Sequence, residues 1–169
     1  VGSEMCIRDR DGTDAIMLSG ESANGDWPVE SVQTMAKIAV EAETKLNYET
    51  AVSTAKSHIP AVSGVISRAA CNAANELNAA AIVSSTKSGA TARRISQCRP
   101  ECPIVAVTPC EKVAKSLAFC FGVYPVVAED QNSTDAMMAN ATKIAVENGF
   151  AKAGDTVVIC LLYTSDAAD

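Results

Sequence analysis

Residues 80–91 read AAIVSSTKSGAT, and this stretch holds the pattern that decides the fold. The apolar run at 80–84 is typical of a strand buried on both faces, and the polar residues after it lead into a helix. Further strands of this type are predicted at residues 104–107, 124–128 and 156–162. Strand and helix then alternate at a spacing of roughly 20 residues, which is typical of right-handed βαβ units. The pattern predicts a parallel sheet that is covered by helices on both faces.

The helices of this region are predicted by apolar residues at helical spacing and by signals at their ends. Apolar residues line one face of a helix over residues 61–77, and Asn78 closes it. Residues 108–111 have the features of a helix start, because Thr108 can cap the helix, Pro109 needs no amide partner and Glu111 can reach back to the cap. The last helix is predicted from about Ser133 to residue 148, with Gly149 as its left-handed stop.

The segment before residue 60 is organised differently. Residues 11–26 read DGTDAIMLSGESANGD and predict a strand at 14–19, followed by a glycine-containing turn. Residues 28–45 predict a helix with one apolar side, formed by Val29, Val32, Ala36, Ala39 and Val40. Such a single βα unit cannot cover both faces of its strand alone. Residues 46–60 are predicted to be a linker to a second domain at 61–160, and the ends at 1–10 and 161–169 continue neither pattern.

Charge and composition exclude some classes of function. Fourteen Lys and Arg against twenty Asp and Glu give a net charge of -6, which argues against binding to nucleic acid or an anionic membrane surface. No apolar run is long enough to span a bilayer. The seven cysteines form no C-x-x-C pair, and the only histidine is far from Cys98 and Cys102, so neither a disulfide framework nor a zinc site is indicated. A reducing cytoplasm fits this composition best.

Polar residues follow the first predicted strand at Ser19, Gly20, Glu21 and Ser22. Gly20 and Gly25 have the spacing of a phosphate loop, but Asp-Trp stands where Lys and Ser or Thr must follow, so a Walker A motif is excluded. Two hydroxyls and a carboxylate remain at the carboxyl end of a strand, where α/β enzymes gather active-site groups. The spacing alone leaves an ordinary polar turn as the alternative.

A second polar loop joins a strand to a helix at residues 84–91, SSTKSGAT. Hydroxyls, Lys87 and the amides of a helix N-terminus together form a typical phosphate site. The alternative is a helix cap at Ser88 with no ligand. Arg93, Arg94 and Arg99 follow and could help to hold a phosphate, although basic residues on an exposed helix face are also commonly solvated.

The segment from residue 11 to 43, DGTDAIMLSGESANGDWPVESVQTMAKIAVEAE, resembles the last strand and last helix of the catalytic barrel of the pyruvate kinase family. The resemblance continues through STKSGATARRIS, CPIVAVTP and GDTVVI, which are similar to that family's C-terminal domain, and covers about residues 11–160. It implies an α/β fold: one βα unit of a TIM (β/α)8 barrel, followed by a three-layer α/β C-terminal domain with a mostly parallel sheet.

The resemblance also implies an activity. It is the transfer of the phosphoryl group of phosphoenolpyruvate to ADP, giving pyruvate and ATP, with Mg2+ and usually K+ as cofactors, by a cytoplasmic homotetramer. Ser22 stands at a hydroxyl position beside phosphoenolpyruvate that is implicated in protonating the enolate. Glu21 either shares that role or anchors the turn. The family's other catalytic groups and metal ligands come from earlier barrel strands, so the 169 residues alone are expected to be inactive.

The same resemblance assigns a regulatory site to the second polar loop. Its residues match the family's loop for activating sugar phosphates such as fructose 1,6-bisphosphate, or for AMP or sugar monophosphates: Thr86, Lys87, Ser88, Gly89, Ala90 and Thr91. A non-catalytic module for effector binding and oligomerisation is the alternative function. The ends, VGSEMCIRDR and LLYTSDAAD, depart from the family, and we expect them to arise from sequencing or assembly.

Overall fold

The computed structural model describes residues 12–46, 48, 62–131 and 133–162. The chain forms two compact units, Val1–Asn47 and Tyr48–Asp169. The predicted lead at 1–10, residues 163–169 of the predicted tail at 161–169, and the predicted linker apart from residues 46 and 48 lie outside the described residues. No helix in the described part of the chain is long and apolar enough to cross a membrane.

In the described part of the first unit, residues 12–46, the chain forms the helices α1 (Gly20–Ala23) and α2 (Pro28–Glu43). The strand predicted at residues 14–19 is wrong, because this segment is irregular. A strand is stable only where a neighbouring strand accepts its backbone hydrogen bonds, and the neighbours that the resemblance implies lie outside residues 11–160. The apolar side of α2 is correspondingly uncovered, since Val29 is 62% and Val40 is 65% exposed.

The second unit alternates helices and strands in the predicted order. Its helices are α3 (Val62–Glu76), α4 (Ala90–Gln97), α5 (Glu111–Leu117) and α6 (Thr134–Glu147). Its strands are β1 (Ala81–Ser85), β2 (Ile104–Thr108), β3 (Val123–Val127) and β4 (Val157–Leu161). The four predicted strands are confirmed to within one residue at each end. Leu161, which the sequence analysis also placed in the tail, is the last residue of β4 and pairs with Ser85.

The strands form one parallel sheet in the order β3-β2-β1-β4. Val83 of β1 lies between Val105 of β2 and Ile159 of β4, so β1 is a central strand. All of its residues except Ser85 are buried, as the uninterrupted apolar run predicts. Because every pair is parallel, the carboxyl ends of all four strands lie at one edge of the sheet.

Each face of the sheet has its own hydrophobic core. On one face Ile82 and Ile104 pack with residues of α3, α4 and α5, including Ile95 and Leu117, which are fully buried. On the other face Val83 and Val105 pack against α6. Helices therefore cover both faces, and the predicted three-layer α/β domain is confirmed.

Three of the predicted helix ends are confirmed by their geometry. Asn78 follows α3 with a left-handed φ of 47°. Ser133 caps α6, since its Oγ accepts a hydrogen bond from the amide of Ala136 at 3.2 Å. Gly149 follows the end of α6 with a φ of 77°, as expected for a left-handed stop.

The predicted cap at Thr108 is wrong. Thr108 is the last residue of β2, where it pairs with Val127, and Cys110 is the N-cap of α5 instead. The Thr108 side chain still accepts a hydrogen bond from the Cys110 amide at 3.3 Å. Glu111 does not reach back to a cap, because its carboxylate pairs with Lys115 Nζ at 3.4 Å. The strand thus extends through the residue that the capping pattern assigned to the helix.

Candidate functional site

Ser22 lies in the short helix α1, which replaces the predicted turn. Its Oγ donates a hydrogen bond to the carbonyl oxygen of Ser19 at 3.3 Å, and its amide contacts the same oxygen at 3.3 Å. The side chain is half-buried. A hydroxyl in this position keeps its ability to donate to another acceptor, because only one weak bond to a carbonyl must break.

Glu21 anchors the backbone beside Ser22. Its Oε2 accepts a hydrogen bond from the amide of Ser19 at 3.0 Å. Hydrogen bonds from its own amide and from that of Ser19 hold the pKa of Glu21 below its ordinary value. Of the two roles considered for Glu21, this geometry supports the structural one.

Mg2+ requires several oxygen ligands around one point. Among the described residues, no group of three or more His, Cys, Asp or Glu side chains could hold a metal ion. The described residues near Ser22 therefore do not form a complete magnesium site.

A cavity of about 290 Å³ opens at the carboxyl edge of the parallel sheet. The end of β1 contributes Ser85, Thr86 and Lys87 to its wall, and the loop after β3 contributes residues 128–131. The ends of β2 and β4 and one side of α6 complete the wall, with Val107, Pro109, Leu161, Leu162, Met137 and Asn140. Open α/β sheets bind their ligands at this edge, so the cavity is the candidate binding site of the second unit.

The predicted phosphate loop is held together by its own hydroxyls. Thr86 Oγ1 accepts a hydrogen bond from the amide of Gly89 at 3.0 Å, and Ser88 Oγ accepts one from the amide of Ala90 at 3.3 Å. Gly89, not Ser88, is the N-cap of α4. Two amides that were candidates for phosphate binding are therefore already satisfied within the loop.

Lys87 faces an acidic partner across the cavity mouth. Its Nζ lies 2.7 Å from Oδ2 of Asp130, which belongs to the loop after β3. The two side chains are 67% and 42% exposed. An ion pair this exposed contributes at most about 1 kcal/mol, so an anion of higher charge can compete for the lysine.

The arginines after the loop do not line the cavity. Arg93 donates from Nη1 to the carbonyl oxygen of Ser88 at 3.0 Å and from Nη2 to Ser116 Oγ at 2.8 Å. The guanidinium of Arg99 lies 4.1 Å from the centre of the Phe121 ring, which is a cation–π contact. A structural role therefore replaces the phosphate contact that we considered for Arg93 and Arg99.

Only part of the predicted loop reaches the cavity. Thr86 and Lys87 line it, whereas Ser88, Gly89, Ala90 and Thr91 do not, and Thr91 is fully buried. The sequence analysis missed Asp130, Gln131 and Asn140. The pattern held a signal for Asp130 and Gln131, because residues directly after β3 lie at the same edge as those after β1, but none for Asn140, which lies in α6.

The geometry defines an α/β domain with a ligand cavity at the carboxyl edge of a parallel sheet. Residues 64–163 match the family model described as the alpha/beta domain of pyruvate kinase. This match covers more than half of the chain, and the chain belongs to the pyruvate kinase family.

Individual relatives agree with this assignment. The chain is 49% identical over 150 residues to a pyruvate kinase of Clostridium acetobutylicum and 45% identical to one of Staphylococcus epidermidis, covering 88% of its own length in each case. A crystal structure of a pyruvate kinase from Cryptosporidium parvum superimposes with a TM-score of 0.86 at 32% identity, covering 94% of this chain and 33% of that one. The chain spans 32% of the clostridial relative and 26% of the staphylococcal one.

The loop geometry makes a prediction for Gly89. Its φ is +85°, and an added Cβ would lie 2.9 Å from Arg93 Nη1 and 3.1 Å from Val113 Cγ1. We expect Gly89→Ala to lower the free energy of unfolding by about 1–2 kcal/mol through backbone strain and by roughly 1–3 kcal/mol more through crowding. Urea unfolding of the full chain measures both contributions together.

Gly149→Ala is the matched control for this variant. Gly149 has a similar φ of +77°, but an added Cβ would have no atom within 4 Å. It should therefore lose only the backbone contribution, about 1–2 kcal/mol. Equal losses in the two variants would show that Gly89 is not crowded by Arg93 and Val113.

Proposed function

We propose that the chain acts in the transfer of the phosphoryl group of phosphoenolpyruvate to ADP, as part of a longer pyruvate kinase. The observation that carries this proposal is the 49% identity to the clostridial enzyme over 150 residues, which is 88% of this chain. One of the similar solved structures is a Cryptosporidium parvum pyruvate kinase in complex with ADP, which supports a nucleotide substrate.

Ser22 is the residue of this chain that we place in the reaction. Loss of the phosphoryl group from phosphoenolpyruvate leaves an enolate, which must take up a proton to become pyruvate. The Ser22 hydroxyl can donate a hydrogen bond to the substrate and pass a proton from solvent, and its high pKa makes it a relay and not a strong acid. Mg2+, when bound by residues of the other barrel strands, neutralises charge on the transferring phosphoryl group.

The 169-residue chain alone should show no turnover with phosphoenolpyruvate, ADP, Mg2+ and K+ in an assay coupled to pyruvate reduction. Positioning and charge neutralisation supply most of the catalysis of phosphoryl transfer, and the groups that provide them are not in this chain. A hybrid in which the upstream barrel of the clostridial relative precedes residue 11 should be active. Turnover by the chain alone, or an inactive but folded hybrid, would contradict the proposal.

Within the active hybrid, Ser22→Ala should lower kcat by about 100-fold, which is the lower end of the usual contribution of a positioned proton donor. Ser22→Thr keeps the hydroxyl and should keep most of the activity. Ser31→Ala is the control, because the Ser31 hydroxyl donates to the carbonyl oxygen of Trp27, the N-cap of α2, at 2.7 Å. An unchanged kcat in Ser22→Ala would remove Ser22 from the mechanism.

We further propose that the cavity at the carboxyl edge of the sheet binds a phosphorylated effector, a sugar phosphate or AMP. The cavity is large enough for a small metabolite, and Lys87 stands at its mouth. The amide groups of Gln131 and Asn140 offer neutral hydrogen-bonding partners for sugar hydroxyls or a base.

The carboxylate of Asp130 competes with such a ligand for Lys87. With Glu129 it gives the cavity wall more negative than positive charge, and it holds Lys87 at 2.7 Å. A phosphate must exchange with the Asp130 carboxylate for the lysine. The exchange is favoured because a phosphate carries two negative charges and the carboxylate carries one. Its cost is that Asp130 loses its ion pair with Lys87.

Calorimetric titration of the chain with fructose 1,6-bisphosphate, AMP and ribose 5-phosphate tests this site. Lys87→Ala should weaken binding of the effective ligand about tenfold or more, because a hydrogen bond to a charged group contributes about 1.5–3 kcal/mol. Asp130→Asn should strengthen binding, since it removes the competing carboxylate and one negative charge.

Lys115→Ala is the control for general charge effects, because Lys115 lies outside the cavity in an exposed ion pair with Glu111. It should leave the affinity unchanged. The effector proposal fails if none of the three ligands binds, or if Lys87→Ala and Lys115→Ala change the affinity equally.

We also propose that the longer enzyme is a homotetramer in the cytoplasm. The uncovered apolar side of α2, with Val29, Val32 and Val40 exposed, supports burial of this helix in a larger assembly. The free thiols of Cys71, Cys98, Cys102 and Cys160 support a reducing compartment.

A further inference from the structure

Several cysteines meet in the core between the sheet and helices α3, α4 and α5. Cys71 of α3, Cys98 at the C-terminus of α4 and Cys160 of β4 are all buried there, and Cys102 packs against them. All of these are free thiols. The phosphoryl-transfer reaction and the effector cavity use none of them, so the cluster has no role in the function proposed above.

Two members of this cluster converge on the same turn of α4. Cys71 Sγ donates to the carbonyl oxygen of Ile95 at 3.8 Å, and Cys98 Sγ donates to the neighbouring carbonyl of Arg94 at 3.5 Å. When one of these two thiols is ionised, the other can turn its proton from the carbonyl and donate a hydrogen bond to the thiolate instead. Cys71 is completely buried, whereas Cys98 is 4% exposed at the helix end, beside the exposed residue Gln97.

We propose that Cys71 and Cys98 form a disulfide reversibly when the protein meets a peroxide. The Cys98 thiolate attacks one peroxide oxygen, so that an S–O bond forms, the O–O bond breaks and hydroxide leaves. The Cys71 thiol then attacks the Cys98 sulfur, the S–S bond forms, and the S–O oxygen leaves as water with the thiol proton. Two thiols are oxidised to one disulfide, and one hydrogen peroxide is reduced to two waters.

The electrostatics of the pair assign these two roles. The hydrogen bond from Cys71, aided by the positive charge of Arg68, lowers the pKa of Cys98 against the effect of burial. The hydrogen bond to Cys98 and burial raise the pKa of Cys71. Cys98 is therefore the thiol that ionises first, although the carbonyl end of α4 opposes its negative charge. Of the two thiols of the pair, Cys98 is also the more exposed.

The other cysteines of the core are the competitors. Cys102 and Cys160 are near enough to Cys71 to affect its ionisation. Burial raises the pKa of both thiols, which makes them poorer nucleophiles towards peroxide. The pair of Cys71 with Cys98 is thus favoured over the pairs of Cys71 with Cys102 or Cys160.

The sequence allows these pairs to be distinguished by mass spectrometry. Cleavage after glutamate gives residues 50–76 with Cys71 alone, residues 77–101 with Cys98 alone, and residues 102–111 with Cys102 and Cys110. The full 169-residue chain is reduced, treated with limiting hydrogen peroxide, blocked with an alkylating agent and digested without reductant. We expect the peptide 50–76 linked to 77–101 to be the predominant cross-linked species, lighter than its two reduced parts by two hydrogen atoms, and to disappear on treatment with dithiothreitol.

Variants and a denatured sample complete the test. Cys71→Ser and Cys98→Ser should each abolish this cross-link, whereas Cys102→Ser, which changes a neighbouring core thiol, should retain it. The same treatment in urea should give mixed pairs, because the folded core no longer selects the partners. A wild-type digest in which Cys71 is linked mainly to 102–111 or to the Cys160 peptide, or in which no cross-link involves Cys71, would overturn the proposal without any variant.

Discussion

Parallel pairing of the four strands is the constraint on which the binding site depends. Parallel strands have all of their carboxyl ends at one edge, so the polar residues after β1 and β3 meet although more than forty positions separate them in sequence. Lys87 reaches Asp130 for this reason. The cores on the two faces fix the register, since a slip by one residue would exchange the buried side chains of Ile82 and Val83 between different helices.

The same constraint explains why one predicted strand is absent. Residues 14–19 and residues 80–84 have similar apolar runs, and the sequence analysis treated both as strands. β1 has a hydrogen-bonding neighbour on each side, whereas residues 14–19 pair with no strand among residues 12–46, the described part of their unit. An apolar run therefore predicts a strand only where neighbouring strands are present to pair with it. The run itself does not show whether those strands are present.

Residue patterns predicted the second unit well because its elements bury each other. Four strands, the helix ends at Asn78, Ser133 and Gly149, and the three layers follow from local signals that agree with the tertiary packing. Thr108 is the exception, since sheet pairing to Val127 competed with helix capping and prevailed. For the site, sequence located Thr86 and Lys87 but not Asp130 or Asn140, because a contact between distant loops depends on the strand order.

The hydrogen bonds within the phosphate loop also limit which of its residues can select a ligand. The hydroxyls of Thr86 and Ser88 accept hydrogen bonds from the amides of Gly89 and Ala90. Arg93 donates to the Ser88 carbonyl oxygen. These groups therefore fix the conformation of the loop. Lys87 is then left as the charged group of the loop that faces the cavity, and it would attract phosphates of many kinds. Discrimination among phosphorylated ligands must come from the opposite wall, where the loop after β3 and α6 present carboxylates and amides.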